Sequence, residues 1–459
     1  MTPNYLCTEV NNIMSNAAKQ SAPASITKAE VTSNANAGKT ANLVNGIIRM
    51  SYYESILQDS IKANVIFGDV GLAVDNKSVI EGLPLIGTED FKLQFEDNNE
   101  NKIRVKMNVN KVTPVYEDGS KNVVSLDLVS EEVLRNEMGE SRCRGRINGL
   151  ISDSVEEIFT DRLKTEKKLD IEQSANRYNF IGGGRKPFYM LNLLSKQGVP
   201  QGSDGSSAGF LFFETADGYH FKSIEGLLKQ NKKKSYVFNN TTDAQGIPAG
   251  YDGKILEHKS NNSINVQSKM NMGAYKTKIV LFNSYDCKYE TLEQTAEQVK
   301  GNVKLAGKDL PKFNTKFDTQ KKDFTRTTLY LVDSGTLPDG NTQEQIKGST
   351  KPNFEAVRTL NQSIRRYNQL FSGMMEITIA GDFSLHAGDV IFVDIFSVSA
   401  EKDDTLNRES GGLYIIADLC HFLDADATYT KLNLARDSFG RDGNHSTKKA
   451  SRIGRQLYR

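Results

Sequence analysis

The chain has 459 residues, and its 58 basic residues nearly balance its 57 acidic ones, which argues against a dedicated nucleic-acid binder. This length accommodates about two to four domains, each with its own core. Tryptophan is absent, which weakens the case for sugar stacking or a membrane-interface belt, and no apolar run approaches the length of a membrane span. We therefore expect a soluble protein without membrane insertion.

The first 25 residues are rich in Asn, Ala, Ser and Thr and have too few apolar side chains to fold alone. We interpret residues 1–25 as an arm that orders against a partner. From residue 26 the pattern changes to short runs in which apolar and polar residues alternate, which is typical of strands. These runs lie at 26–31, 43–53, 61–67, 91–95, 103–109 and 123–129. Residues 26–150 are therefore predicted to form a first tube-like antiparallel β-barrel domain.

Residues 151–255 mix helix and strand signals and are predicted to form a small α+β connecting domain. The first helix has an apolar stripe of Val155, Ile158, Phe159 and Leu163. A second helix is expected to begin at Pro187, because proline suits the first helical position. Asp217-Gly218 then predicts a hairpin turn between two strands.

Residues 256–437 are predicted to form a second tube-like β-barrel domain that carries a polar insertion at 291–352. A strand at 276–285 is assigned to this barrel. Residues 353–371 predict an amphipathic helix with Asn353 as its N-cap. Its apolar stripe contains Phe354, Val357, Leu360, Ile364, Tyr367 and Phe371. Arg358, Arg365 and Arg366 occupy the other face, where they would meet a partner subunit or water.

Residues 438–459 form a basic C-terminal tail. It carries Arg441, Lys448, Lys449, Arg452, Arg455 and Arg459 against a single acid, Asp442. Such a tail is either simply solvated or suited to gripping an acidic partner or nucleic acid.

The two predicted barrels repeat one order of elements. Residues 85–90 read Leu-Ile-Gly-Thr-Glu-Asp and are followed by a strand, a strand, an acidic turn and a strand. Residues 385–389 read Leu-His-Ala-Gly-Asp and are followed by the same series, with its acidic turn at 424–426. Repetition of element order is consistent with an internal duplication, although any antiparallel barrel has strands and Gly/Asp turns.

No catalytic, cofactor-binding or metal-binding residues are predicted. The histidines show no HExxH pairing, and Cys7, Cys143, Cys287 and Cys420 are too far apart for a CxxC site, so we expect buried free thiols in a reducing cytoplasm. Residues 37–40, Ala-Gly-Lys-Thr, lack the first glycine of a phosphate-binding loop. The glycines at 182–184 fit either an anion cradle or a connector, and the lysines at 232–234 fit either a basic patch or a solvated loop.

Several stretches together resemble the baseplate hub proteins of contractile-tailed, T4-like phages. In the second predicted barrel they are residues 366–373 (Arg-Tyr-Asn-Gln-Leu-Phe-Ser-Gly), Gly381-Asp382, Leu385 and residues 387–391 (Ala-Gly-Asp-Val-Ile). In the first they are residues 52–55 (Tyr-Tyr-Glu-Ser), the alternating strand to Phe67 and residues 80–85 (Ile-Glu-Gly-Leu-Pro-Leu). The hub part of type VI secretion spike proteins is similar in plan.

This resemblance implies a mainly β, non-enzymatic structural protein of the virion, located in the tail baseplate and assembled in the host cytoplasm. It implies a homotrimer that joins a six-fold tail tube to a three-fold cell-puncturing spike, with a lumen for genome passage. The implied partners are tail tube or tube-initiator proteins, a spike protein and baseplate wedge proteins, with genomic DNA only passing through the lumen. The alternative is a spike-associated peptidoglycan hydrolase with residues 151–255 as its domain.

Residues from the same stretches are the candidates for a partner interface. They are Arg358, Arg365, Arg366, Tyr367, Gly381, Asp382, Gly388 and Asp389. If the arginine face of the 353–371 helix meets a neighbour, Arg365→Glu or Arg366→Glu should lower assembly and leave the monomer folded.

Overall fold

A computed structural model describes residues 24–440 with several gaps. The gaps are residues 37, 72–73, 75, 119–120, 203–206, 239–249, 261–265, 285–286, 296–303, 309–325, 334, 336–339, 350–352, 354–355 and 396–409. Nearly all of the predicted arm, with Cys7, and most of the predicted basic tail therefore lie outside the described residues.

Strands dominate the described part of the chain. They are β1 (Ser25–Thr32), β2 (Thr40–Asn42), β3 (Ile47–Ser55), β4 (Lys62–Asp69), β5 (Asp90–Glu96), β6 (Lys102–Asp118), β7 (Lys121–Val129), β8 (Arg146–Leu150), β9 (Leu169–Ile171), β10 (Arg177–Ile181), β11 (Phe210–Thr215), β12 (Gly218–Ser223), β13 (Lys234–Phe238), β14 (Gly253–Ser260), β15 (Lys276–Asn283), β16 (Lys288–Thr295), β17 (Arg326–Leu331), β18 (Gly373–Ala380), β19 (Val390–Ile395), β20 (Gly412–Asp424) and β21 (Thr428–Arg436).

The helices are short, apart from two. They are α1 (Val79–Gly82), α2 (Glu131–Glu137), α3 (Ile151–Glu157), α4 (Pro187–Gln197), α5 (Ile224–Lys229), α6 (Val266–Met272), α7 (Thr342–Ser349) and α8 (Ala356–Leu370). A π-helical turn, Ile158–Arg162, continues α3, and a 3₁₀ turn, Val44–Gly46, precedes β3.

The second module, formed by β13, β14 and β18 to β21, is a closed six-stranded barrel in the order β19-β13-β14-β18-β21-β20, with β20 returning to β19. Closure removes the free sheet edges that would otherwise invite pairing with other chains. Its interior is filled by alternating apolar residues such as Met375, Ile377 and Ile379 of β18. The predicted fold class, mainly β with an added α+β part, is confirmed.

The first module, formed by β1 to β7, is a curved sheet in the order β3-β4-β7-β6-β5-β1-β2 around its own core. Among the described residues no strand ladder joins β1 or β2 to β3. The 3₁₀ turn bridges this gap, and the Leu43 N–H donates to the Ala29 carbonyl oxygen at 2.8 Å. The first module is thus a nearly closed version of the second.

The two modules share one strand order. The series β3-β4-β7-β6-β5-β1 of the first module corresponds in order to β14-β18-β21-β20-β19-β13 of the second, but β1 is antiparallel to β5 whereas β13 is parallel to β19. Two bulges correspond as well, although the shifts in β6 between Pro114 and Tyr116 and in β1 between Ile26 and Lys28 have no counterpart. β6 and β20 shift register around residues 110 and 417, and β3 and β14 around residues 48 and 256. The structure therefore contains the repeated order of elements that the sequence predicts.

The turns before β5 and β19 also match in detail. The carboxylate of Glu89 accepts from the Ile86 N–H at 2.7 Å, and that of Asp389 accepts from the His386 N–H at 2.7 Å. In both turns the residue before the acid has positive φ, 67° at Thr88 and 89° at Gly388. The same local chemistry therefore starts the same strand in each module.

The connecting part lies between the modules. A core under α3 and α4 contains the predicted stripe of Val155, Ile158, Phe159 and Leu163. Pro187 occupies the start of α4, and β11 and β12 form the hairpin predicted at Asp217-Gly218.

Two strand assignments made from the sequence are wrong. β15, predicted in the second barrel, forms a separate sheet in the order β16-β15-β17, because its hairpin with β16 and a parallel ladder with β17 supply its partners. β13 falls in the segment assigned to the connecting domain, yet it pairs in parallel with β19 and places Tyr236 in the barrel core. The insertion therefore begins before residue 291.

The long helix α8 is described from Ala356, and residues 354–355, between it and the predicted N-cap Asn353, lie outside the described residues. The Asn353 side chain accepts from the Asn179 N–H at 2.9 Å and donates to the Asn179 carbonyl at 2.6 Å. This amide therefore extends the edge of β10. The helix packs against α4 and α5 on one side and against α6, β15 and β16 on the other, so much of its polar face is covered.

The candidate functional site at the junction of the two modules

The modules are joined by a strand that belongs to both. The first part of β20 pairs with β19 inside the second barrel, and residues 418–424 pair antiparallel with residues 49–55 of β3. Rings from both modules pack over this seam. Phe383 meets Phe95 edge-on at 4.9 Å between centroids, and His421 stacks on Tyr52 at 6.1 Å. The seam is therefore a continuous sheet with an aromatic core.

Glu54 is a buried carboxylate that ties all three parts of the chain together. From the first module, the Tyr52 hydroxyl donates to it at 2.9 Å. From the connecting part, the Ala216 N–H donates at 2.8 Å. From the second module, the Ala387 N–H donates at 2.9 Å and the His386 Nδ1 lies 3.1 Å away. A single side chain thus fixes the relative position of the three parts.

The charges at this junction stabilise one another. Burial raises the pKa of Glu54, but the nearby His386 and the N–H donors outweigh burial and leave that pKa below its usual value. Burial lowers the pKa of His386, but Glu54 and then Asp217 reverse this and leave the pKa above its usual value. His386 is therefore the imidazolium partner of a charge-assisted hydrogen bond.

This pair should make the stability of the junction depend on pH. Because its folded-state pKa is raised, the contribution of His386 is complete below its unfolded pKa of about 6.5 and is lost as pH rises through the folded value. The difference in free energy of unfolding between wild type and His386→Gln should therefore be largest near pH 6. It should fall by up to about 1.5–3 kcal/mol by pH 9, the worth of a hydrogen bond to a charged group. Urea unfolding of both proteins across this range measures the difference.

The nearby histidines provide a contrasting control for that measurement. Burial lowers the pKa of His421 to about 4, and burial also lowers the pKa of His220. Both favour the neutral form, so their contribution is lost only as pH falls. A wild-type advantage that instead grows between pH 6 and pH 9 would contradict the assignment to His386.

The predicted interface candidates between β18 and β19 belong to the connection that positions His386. Asp382 accepts from the Tyr236 hydroxyl at 2.8 Å and pairs with Lys234 at 2.5 Å. Burial raises the pKa of Asp382, but Lys234 and the hydroxyl donors leave it lowered. A side chain at Gly381 would come within 2.5 Å of Thr428. Gly381 and Asp382 therefore make these contacts within one chain.

Gly388 and Asp389 complete the same turn. Gly388 has φ of 89°, and a Cβ there would lie 2.8 Å from the Phe213 ring, so the position requires glycine on both counts. The Asp389 carboxylate also forms an ion pair of 2.8 Å with Lys233. These residues were predicted as interface candidates; the structure shows what they do within one chain, and a role towards a partner stays a prediction.

Two arginines of α8 are buried, whereas the sequence predicted that they would meet a partner subunit or water. Arg365 and Arg366 are each 1% exposed, because the β15–β17 sheet and the chain after β21 cover that face. Arg366 makes a buried ion pair of 2.8 Å with Asp437. Burial, then the charge of Arg366, lowers the pKa of Arg365 to about 9. The side chain of Arg358 lies outside the described residues.

Tyr367 is the remaining candidate on α8. Its hydroxyl donates to the Phe210 carbonyl oxygen, and burial raises its pKa above the usual range. The hydroxyl therefore anchors α8 to β11 of the connecting part. It is an internal contact of the same kind as those of the buried arginines.

The segment proposed as a hydrolase domain contains, among its described residues, the buried acids Glu214 and Glu225, and Glu214 makes internal contacts. It accepts from Ser130 at 2.6 Å and from the Ile61 N–H at 3.0 Å, and it pairs with Lys167 at 2.7 Å. Burial, the largest influence, raises the pKa of Glu214 despite Lys167. At 1% exposure it has no access to a polymeric substrate.

The remaining cysteines and glycines singled out in the sequence have structural surroundings. Cys143 and Cys420 are buried free thiols as expected, whereas Cys287 is exposed. Gly182 packs against Cys143, where a Cβ would meet its carbonyl at 2.4 Å, which fits a close-packed connector. Within the described ranges, no cluster of three or more His, Cys, Asp or Glu residues could hold a metal ion, and no helix is long and apolar enough to cross a membrane.

The chain is similar to known phage tail proteins. It is 22% identical over 297 residues to a probable baseplate hub protein of the Vibrio phage KVP40, a match that covers 63% of this chain and 66%, just under two thirds, of that protein. No protein-family model matches. The predicted resemblance to phage baseplate hub proteins is confirmed at this level.

Solved structures show the same fold. The 43 kDa tail protein of prophage MuSo2 from Shewanella oneidensis has a TM-score of 0.51 at 13% identity, covering 89% of this chain and 98% of that one. The tail protein from Neisseria meningitidis MC58 has a TM-score of 0.50 at 10% identity, covering 89% and 96%. This chain and these two proteins therefore share a fold.

Proposed function

We propose that the chain is a non-enzymatic structural hub in the baseplate of a contractile phage tail. The observation that carries this proposal is the pair of corresponding β modules joined edge to edge through β20 and β3. The similarity to a probable baseplate hub protein supports a baseplate or tail role and a location in the virion tail baseplate.

Symmetry explains why one chain would carry two like modules. A six-fold tube and a three-fold spike cannot be joined by one repeated contact. A homotrimer of this chain presents six near-equivalent modules to a tube or tube-initiator protein, while the connecting parts keep three-fold symmetry for a spike protein. Baseplate wedge proteins would contact the outside, and genomic DNA would pass through a lumen that makes few phosphate contacts.

The mass of the assembled protein tests this function. The full chain, alone and together with the spike protein of the same phage, is expected to assemble into three copies of 51.0 kDa each. Native mass spectrometry gives the number of chains directly. A two-fold assembly would rule out the adaptor, since two copies cannot match a three-fold spike.

A peptidoglycan-degradation assay on the same preparation separates the hub from the hydrolase alternative. We expect no release of soluble fragments above a buffer control. Release of soluble fragments above that control would favour the hydrolase instead.

A further inference from the structure

The turns before β5 and β19 align single residues of the two modules. The Val109 N–H donates to the Glu89 carbonyl oxygen at 2.9 Å. The Ile416 N–H donates to the Asp389 carbonyl oxygen at the same distance. Val109 of β6 therefore corresponds to Ile416 of β20, as Glu89 corresponds to Asp389.

A pair of lysines in the first module takes the place of an apolar pair in the second. Lys92 lies opposite Lys106 between β5 and β6, and Phe392 lies opposite Leu413 between β19 and β20. Each of these residues is three positions from an aligned residue, so the two pairs occupy the same place. Phe392 is fully buried, whereas both lysines are exposed.

The two equivalent faces differ in what covers them. Val390 and Ile415 point away from the second barrel, beside the apolar pair, and share one apolar core with Leu211 of β11 and Leu227 of α5. The connecting part therefore covers this face of the second module. The exposed lysine pair shows that the first module presents the same face to solvent.

This open face carries three cations that are not neutralised within the described ranges. Arg104 lies two residues from Lys106 on β6, so its side chain projects from the same face of the sheet. Lys92, Arg104 and Lys106 form no ion pair with any described residue. Like charges directly opposite one another destabilise a sheet. The lysine pair is therefore unfavourable in the isolated chain, and an acidic group lying over it would remove that cost.

The cations beside these three are already paired. Lys28 pairs with Glu30 at 3.0 Å, and Lys102 pairs with Glu96 at 3.2 Å. Glu30 also lies opposite Lys92 between β1 and β5, so carboxylates border the unpaired cations. Duplex DNA carries a negative charge about every 1.7 Å and would also meet these carboxylates. A short protein segment with two or three acidic side chains fits between them.

We propose that the outer face of β5 and β6, formed by Lys92, Arg104 and Lys106, binds an acidic segment of another baseplate protein. This inference rests on the proposed function, because the baseplate supplies that partner. Alternate residues of a strand are about 6.7 Å apart, so acidic residues two positions apart in an extended segment match the spacing of Arg104 and Lys106. The partner covers the face that the connecting part covers in the second module.

Carbodiimide cross-linking of baseplates purified from the phage tests this contact. The reagent joins a lysine amine to a carboxylate only where the two groups touch. Mass spectrometry should find Lys92 or Lys106 linked to an Asp or Glu of a different protein. Both lysines should also lose most of their reactivity towards acetic anhydride, compared with the free chain.

Lys106→Glu separates binding from folding. It places a carboxylate opposite Lys92 and replaces repulsion with attraction, so the melting temperature of the free chain should stay level or rise. Its incorporation into baseplates in competition with wild type should fall at least about ten-fold, because the new carboxylate faces an acidic partner. Lys106→Arg keeps the charge and should be incorporated like wild type. Equal incorporation of the two variants would overturn the proposal.

Other occupants of this face give different results. A link from Lys92 or Lys106 to a second copy of this chain would refute the proposed partner. Protection of the lysines without any carboxylate link would refute it as well. If Lys106→Glu, but not Lys106→Arg, also lost salt-dependent affinity for duplex DNA, the face would be assigned to nucleic acid.

The presence of this chain in purified baseplates separates the two possible failures. If its peptides are found there, but Lys92 and Lys106 react as in the free chain, the acidic contact is refuted and the proposed function stands. If its peptides are missing from the baseplates, both the proposed function and this contact are refuted.

Discussion

Arg366→Glu should unfold the chain rather than merely weaken its assembly. The substitution would place a second carboxylate beside Asp437, which is fully buried and accepts from the Ala306 N–H at 3.0 Å as well as from Arg366. Removing one partner of a buried ion pair costs about 3–5 kcal/mol, and adding a like charge costs more. This loss is comparable to the whole stability of many domains. Circular dichroism and urea unfolding of the purified variant measure it.

Arg366→Met shows how much of the effect comes from stranding Asp437. The single variant should lose about 3–5 kcal/mol, and adding Asp437→Asn should restore part of this because the buried charge disappears. Lys186→Met is the matched control, since its ion pair with Glu137 lies at the surface, and it should change stability by less than about 1 kcal/mol. A folded Arg366→Glu monomer that fails only in assembly would support the original interface interpretation instead.

Helix α8 shows why part of the site could not be predicted. The periodicity of residues 353–371 correctly gives a helix, because apolar spacing is a local property. The same pattern suggests that the arginine face meets water or a partner, but that face is covered by β15 and β16 of the same chain. Whether the polar face of a helix is exposed to solvent depends on contacts between distant segments. The spacing of residues within the helix contains no information about those contacts.

The strands were likewise predicted where the signal is local and missed where it depends on distant pairing. Alternation and turn chemistry predict most strands of both modules, and the match between residues 85–90 and 385–389 predicts their common order. β13 was assigned to the wrong part because a run of five residues fits several sheets, and its parallel partner β19 begins only at Val390. Non-local pairing of this kind decides topology without leaving a signal in either strand.

Glu54 and His386 are a case where the signal was present but incomplete. Both residues lie in or beside the stretches that resemble hub proteins, yet they are 332 residues apart in sequence. The sequence therefore indicated the two stretches without indicating that they meet. Only the pairing of β20 with β3 brings the carboxylate and the imidazole together.

Glu54→Ala should uncouple the two modules as well as destabilise them. The substitution strands His386 and the N–H groups of Ala216 and Ala387, which now converge on one carboxylate. Unmaking several buried hydrogen bonds to a charge should lower the free energy of unfolding by about 3–5 kcal/mol. Because these donors belong to different parts of the chain, the loss falls on the junction. We therefore expect one cooperative urea transition to separate into two.

Glu89→Ala is the control that distinguishes uncoupling from general destabilisation. Glu89 is equally buried, but its carboxylate accepts from the N–H groups of Ile86 and Gly87 within the first module. Its loss should destabilise that module without affecting the contacts of Glu54 at the seam. Limited proteolysis at low urea should therefore release a resistant second module more readily from Glu54→Ala than from Glu89→Ala. Equal release from both variants, with single transitions in each, would show that Glu54 stabilises the chain without holding its parts in position.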